Sequence, residues 1–118
     1  MAQISTKPVA DYIAATNAFD GDAMLTTFTD DAIVNDIRRE FVGKAAIRAW
    51  TDREIVGVKV TIEPVEARRH YSDEIVTFRV DGEYDKSGLP DPLFLTYYFS
   101  LFGDKICRLI ILHNKPAA

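Results

Sequence analysis

The sequence holds a single cysteine, Cys107, in 118 residues, so no disulfide can form within the chain. That cysteine sits in an apolar run and is expected to pack as a small buried residue; a free thiol suits a reducing, cytoplasmic setting. Long hydrophobic runs are also missing. The longest aliphatic stretch, residues 109–112, is far too short to cross a bilayer. Residues 1–7 lack the apolar segment of a secretory signal, so neither membrane nor export is expected. Basic residues do not cluster, since Arg38-Arg39 and Arg68-Arg69 are isolated pairs. With Lys and Arg numbering 14 against 18 Asp and Glu, the formal charge is −4, which repels phosphate backbones and argues against nucleic-acid binding. There is no Gly-rich phosphate loop, no Gly-x-Ser-x-Gly elbow and no pair of side chains at a metal-binding spacing, so no metal and no cofactor is expected.

What is present is an ordinary globular composition, 47% hydrophobic and 27% charged, long enough for one core. A single domain over 1–118 is expected, ordered over about 6–113. Ser5 or Thr6 can cap a first helix with Pro8 in its opening turn, and Val9, Tyr12, Ile13, Ala15 and Thr16 make its apolar face. Asp20 is a good cap for a second, shorter helix through Phe28. Thr29-Asp30-Asp31 breaks it, and residues 32–36 alternate as a short strand with Ala32, Val34 and Asp36 on one face. After a polar stretch at 37–40, Gly43 starts a third helix carrying Ile47 and Trp50 inward, which Gly57 ends as a left-handed cap.

Beyond Gly57 the period becomes two. Residues 58–62 read as a strand whose phase shifts at Pro64, which predicts a bulge or bend. Further strands are expected over 75–84, 93–102 and 105–113, with a loop at 85–92, a hairpin turn at Gly103-Asp104 and a frayed tail over 114–118. Three N-terminal helices packed on a curved antiparallel sheet make an α+β fold with a cone-shaped cavity, the default ligand site. Apolar side chains on the sheet's other face have nothing left in the chain to cover them, so a homodimer through that outer face is expected.

The runs 12–22, 28–36 and 43–48 resemble the SnoaL-like branch of the nuclear transport factor 2 superfamily, which includes ketosteroid isomerase and polyketide cyclases. The resemblance is close in the first half and rests on strand order in the second. It implies a cone-shaped, cystatin-like fold around a pocket for a small apolar molecule. Asp36 matches the isomerase's general base in position, at a strand end five residues after Asp31. Abstracting a proton beside a carbonyl needs such a base within hydrogen-bond reach in a dry pocket. Tyr12 matches the oxyanion-hole tyrosine, while the isomerase's second donor, a protonated Asp, is replaced by Tyr97, or by Tyr98 if the alignment slips by one. That departure counts against authentic steroid isomerisation. Phe28, Val34, Trp50, Phe78 and Phe99 are expected to wall the pocket, with His113 at its mouth. His70 carries no assigned role. Arg79-Val80-Asp81 resembles an element of limonene-epoxide hydrolase, but the second Asp that enzyme needs is matched by Ile111. The expected activity is general-base isomerisation or cyclisation of a carbonyl compound; the alternative is a non-catalytic ligand-binding or assembly module of the same fold.

Overall fold

The computed structural model describes residues 3–113, and its helices and strands follow the two periods in the sequence. Helix α1 spans Lys7–Asn17, α2 spans Gly21–Thr26 and α3 spans Lys44–Trp50, the last running on as a π-helical segment, Thr51–Val56. The strands are β1 (Phe28–Asp36), β2 (Arg39–Val42), β3 (Thr61–His70), β4 (Asp73–Asp81), β5 (Leu93–Phe102) and β6 (Lys105–His113). They form one sheet in the order β2-β1-β6-β5-β4-β3. The α+β reading therefore holds, with two corrections: α3 follows the first hairpin, and β1 lies parallel to β6, so the sheet is mixed.

Each helix buries one stripe against the sheet. Val9, Tyr12, Ala15 and Thr16 form the inward face of α1, and the Asn17 side chain fixes that helix to β3 by bonding both the amide and the carbonyl of Ile62 (2.8 and 2.9 Å). Asp20 caps α2 as expected, its carboxylate accepting from the Ala23 amide at 3.0 Å. Thr6 occupies the N-cap position of α1 but makes no cap; its hydroxyl donates to Glu74 instead. Helix α2 ends before Phe28, because Phe28 is already paired beside Ile106 of β6.

Gly57 does not end its helix in the left-handed region. Its φ is −60°, and Lys59 takes the left-handed turn at φ 51°. Glycine is required there for a different reason: a Cβ would lie 2.6 Å from the Asp52 carbonyl oxygen, which accepts the Gly57 amide proton. Strand β3 accordingly begins at Thr61, after this turn, and its register slips between Pro64 and Glu66 where a bulge was expected. β4 stops at Asp81 rather than running to Tyr84, whose side chain folds back to donate to the Val80 carbonyl. β5, β6 and the turn between them fall where the sequence places them. The frayed tail lies outside the described residues. No described helix is long and apolar enough to cross a membrane.

The core lies between the helices and the concave face of the sheet. Phe28, Trp50, Phe78 and Phe99 are fully buried in it. Tyr12 packs edge-on against Phe28 and Phe99, with centroids 5.8 and 5.5 Å away. Such edge contacts suit the ring quadrupole and fix the aromatic wedge.

Candidate functional site

A cavity of about 450 Å³ opens at the end of the cone where β1 turns into β2. Strand alternation sends Val80, Leu95, Tyr97 and Ile111 into it, Ile55 enters from the π-helical segment, and Tyr84, Asp85 and Leu89 reach over from the loop after β4. At its rim stand Asp36, Ile37, Arg39, Glu54 and His113.

Asp36 is the last residue of β1, with a side chain 17% exposed. Its Oδ2 accepts from the Trp50 indole N–H (3.0 Å) and from Arg39 Nη2 (3.0 Å). Oδ1 receives no hydrogen bond from a described residue, which leaves one lone-pair-bearing oxygen for chemistry. The hairpin sets this arrangement. Ile37 and Arg38 form a two-residue turn with φ 48° and 72°, so Asp36 and Arg39 face each other across β1 and β2. Arg39 also grips Glu54 through both guanidinium nitrogens, at 2.6 and 2.9 Å. This fork-on-carboxylate geometry is the strong form of an ion pair. Hydrogen bonding to Arg39 is the largest influence on Glu54 and lowers its pKa below the ordinary value; the same bond raises that of Arg39. With both its oxygens engaged, Glu54 has little left to offer a ligand.

Tyr97 is buried and lines the cavity, its ring 4.7 Å from that of Phe78. Burial raises its hydroxyl well above the ordinary phenol range, with smaller pushes from Tyr12, Asp36 and Tyr84. It is a neutral donor at any physiological pH. Tyr98 points to the other face of the sheet and does not line the cavity.

The structure thus brings Asp36, Tyr97 and His113 to one cavity and leaves the other expected site residues outside its lining. Tyr12, Phe28, Val34, Phe78 and Phe99 belong to the core beneath, because α1 and α2 fill that part of the cone. Burial raises the Tyr12 hydroxyl strongly, and the charge of Asp36 adds a smaller push, while Tyr12 itself is not among the residues that line the cavity. Trp50 reaches the site through its indole N–H alone. The walls instead come from Ile55, Val60, Val80, Leu93 and Leu95. His70 is exposed and packs on Tyr71, and Arg79 and Asp81 are exposed, with Asp81 bonded to Lys86, so none of these serves the cavity. Among the described residues no three metal-ligating side chains gather.

Arg39, Glu54 and Tyr84 were not singled out in the sequence. The available signal was the three-residue spacing from Asp36 to Arg39, which a two-residue hairpin turns into a facing pair.

Residues 9–109 match the family model of the SnoaL-like domain. No curated protein matches the sequence. Among solved structures, a candidate polyketide cyclase from Sinorhizobium meliloti is 31% identical, with a TM-score of 0.78, over 88% of this chain and 92% of that one. A Catenulispora acidiphila protein with a ketosteroid isomerase-like fold, in complex with trimethylamine, is 20% identical, with a TM-score of 0.77, over 93% and 88% of the two chains. The Orange Carotenoid Protein of Anabaena, binding canthaxanthin, superposes with a TM-score of 0.78 at 22% identity; 98% of this chain matches 39% of that one. At such identity the last two share the fold alone.

Proposed function

Since the chain belongs to the SnoaL-like domain family, we propose that its cavity takes a small, largely apolar carbonyl compound and that Asp36 is the general base that enolises it. The single observation that carries this reading is the half-occupied carboxylate: Oδ2 is held by Trp50 and Arg39 while Oδ1 has no protein partner among the described residues. Oδ1 takes a proton from the carbon beside the carbonyl, the C–H electron pair forms the enolate, and negative charge moves to the carbonyl oxygen. Tyr97, held neutral by burial, donates a hydrogen bond to that oxygen. Returning the proton to another carbon gives isomerisation; attack of the enolate carbon on a second carbonyl of the same molecule closes a ring, the π pair of that carbonyl moving to its oxygen, which takes the proton back from Asp36. The candidate polyketide cyclase relative favours the second course. His113 lies at the rim, placed to meet the polar end of such a substrate.

A second reading, a cavity that binds an apolar ligand without turning it over, is supported by the two donors already on Asp36 and by the carotenoid-binding protein's shared fold. Deuterium exchange separates the two. Cyclic ketones and 1,3-dicarbonyl compounds are incubated with the protein in D2O, and loss of the α-proton signal is followed by NMR. Enolisation predicts exchange that Asp36→Asn abolishes. Ligand binding with no exchange, unchanged in the Asp36→Asn variant, would leave only the second reading.

We also propose that the protein pairs through its outer sheet face. Ile75, Tyr98 and Ile110 stand in register across β4, β5 and β6 there, all partly exposed. A dimer in sedimentation equilibrium that Tyr98→Glu dissociates is the expected outcome; a monomer in the unsubstituted protein would refute it.

A further inference from the structure

The hairpin at the cavity rim is built from the wrong residues for its geometry. A two-residue turn with positive φ at both positions favours Asn-Gly. Here the positions hold Ile37 and Arg38, at φ 48° and 72°. A β-branched residue in this region is an outlier, because its branched Cβ crowds the backbone. The surroundings force the conformation on it. The Ile37 amide donates to the Ile111 carbonyl at 3.0 Å, the Arg38 amide to Asn35 Oδ1 at 2.9 Å, and Arg39 is locked to Asp36 and Glu54 beyond the turn. A strained residue persists only where neighbours over-determine it, and such residues gather at ligand sites.

Packing within the protein does not account for isoleucine at this position. Ile37 lies outside the core cluster, and at 36% exposure it is one of the large apolar side chains left open to water. The residue lines the cavity next to Asp36, together with Ile111 and Tyr97. Arg38, also at positive φ, does not line it.

From these observations we infer that Ile37 is a ligand-contacting residue, an apolar lip over the cavity mouth whose exposed surface is covered when an apolar molecule enters. It selects for ligands that present a hydrophobic flank beside the group facing Asp36. This rests on the cavity's being the ligand site and not on Asp36's being a base.

The test uses prodan, a neutral naphthyl ketone whose emission shifts to the blue and brightens in apolar surroundings. Ile37→Asn suits the turn but removes the apolar contact, and it is expected to weaken prodan binding about five- to tenfold. Arg38→Gly relaxes the same turn and is expected to leave the Kd within about twofold, because that side chain is not in the lining. Ile37→Thr keeps the β-branch and the backbone preference while replacing the ethyl arm by a hydroxyl, and serves if the Asn variant does not fold; about threefold weakening is expected from the lost apolar contact. Three results would overturn the inference: unchanged affinity in both Ile37 variants, equal weakening by Arg38→Gly, or no saturable prodan binding by the unsubstituted protein. Failure of the base reading looks different, with prodan binding and its Ile37 dependence intact while α-proton exchange ignores Asp36→Asn.

Discussion

Asp36 and Glu74 are both strand carboxylates turned toward the interior, and the protein holds them in opposite ways. Glu74, on β4, is 1% exposed, and both its oxygens are filled: Ser5 donates its amide and hydroxyl to Oε2, and Thr6 does the same to Oε1. Asp36, at the end of β1, has two donors on one oxygen and none among the described residues on the other. A buried carboxylate with every lone-pair direction answered is a fastening, since a ligand can add nothing to it. One that is firmly oriented yet half answered is positioned to act. The difference separates a structural end of the cone, where residues 5 and 6 are tied down ahead of α1, from the end to which we assign the chemistry.

Removing the charge or the side chain of each acid in turn separates the two roles and gives the largest expected effects. Asp36→Asn is expected to slow α-proton exchange by about a hundredfold or more, in the range of general-base contributions, while thermal unfolding shifts little. Glu74→Gln should leave exchange unchanged. If both substitutions slowed exchange alike, the contrast would collapse into a common structural effect. Glu74→Ala should show the converse. Removing the acceptor of four donors is expected to cost about 2 kcal/mol of stability, or a fall in Tm of about 8 °C in calorimetry, with the exchange rate per folded molecule retained. A Tm that stays put would mean that Ser5 and Thr6 find water as good a partner.

Within the end assigned the chemistry, the finer contrast is between the two tyrosines. Tyr97→Phe removes the donor that lines the cavity and is expected to slow exchange about tenfold, in line with loss of one oxyanion hydrogen bond whose partner is only partly desolvated. Tyr12→Phe should change it less than about threefold, because Tyr12 is not part of the cavity lining. Equal effects would move Tyr12 into the site.

How much of this was legible follows from which constraints are local. β5 and β6 read cleanly because apolar and aromatic residues, interrupted only by Thr96 and Ser100, run to Gly103, whose φ of 61° permits the turn. β2 did not, because Ile37-Arg38 carries no Gly or Asn to announce a hairpin. Losing that hairpin hid Arg39, and with it the link to Glu54 fourteen residues past Glu40. The start of β1 was hidden too: Thr29-Asp30-Asp31 has the composition of a breaker and falls in a register irregularity, yet the strand is held on either side of it by pairing with β6, at Phe28 and again from Ile33, nearly eighty residues later and beyond any local signal. Asp36 and Tyr97, assigned from the resemblance, both line the cavity, since position at a strand end and alternation along a strand are local properties. The aromatic walls were misplaced for the opposite reason. Phe28, Phe78 and Phe99 do face the concave side, but whether that side is core or cavity depends on how far α1 and α2 reach along the sheet. Only the assembled packing decides that.

The smallest effect tests whether Arg39 joins the two carboxylates or merely lies between them. Glu54 has its pKa lowered from 4.5 chiefly by its hydrogen bonds to Arg39, so the folded state holds the Glu54 proton less tightly than the unfolded chain does. The sign follows by linkage: the stabilisation is whole above about pH 4.5 and fades as pH falls through the lower, folded value. Since Arg39 is half exposed, solvent screens the pair and the contribution is modest. Tm measured from pH 6 down to pH 3 should therefore fall somewhat more steeply for the unsubstituted protein than for Glu54→Gln, the two curves converging at the acid end. If Glu54 also orients Asp36 through Arg39, the same Glu54→Gln variant should loosen Arg39 and lower the α-proton exchange rate per folded molecule a few-fold at neutral pH. Parallel Tm curves would mean that the Glu54–Arg39 bond is not maintained in solution. Convergent curves with unchanged exchange would confine Arg39 to bracing the hairpin, leaving Trp50 as the one group that aims Asp36 into the cavity.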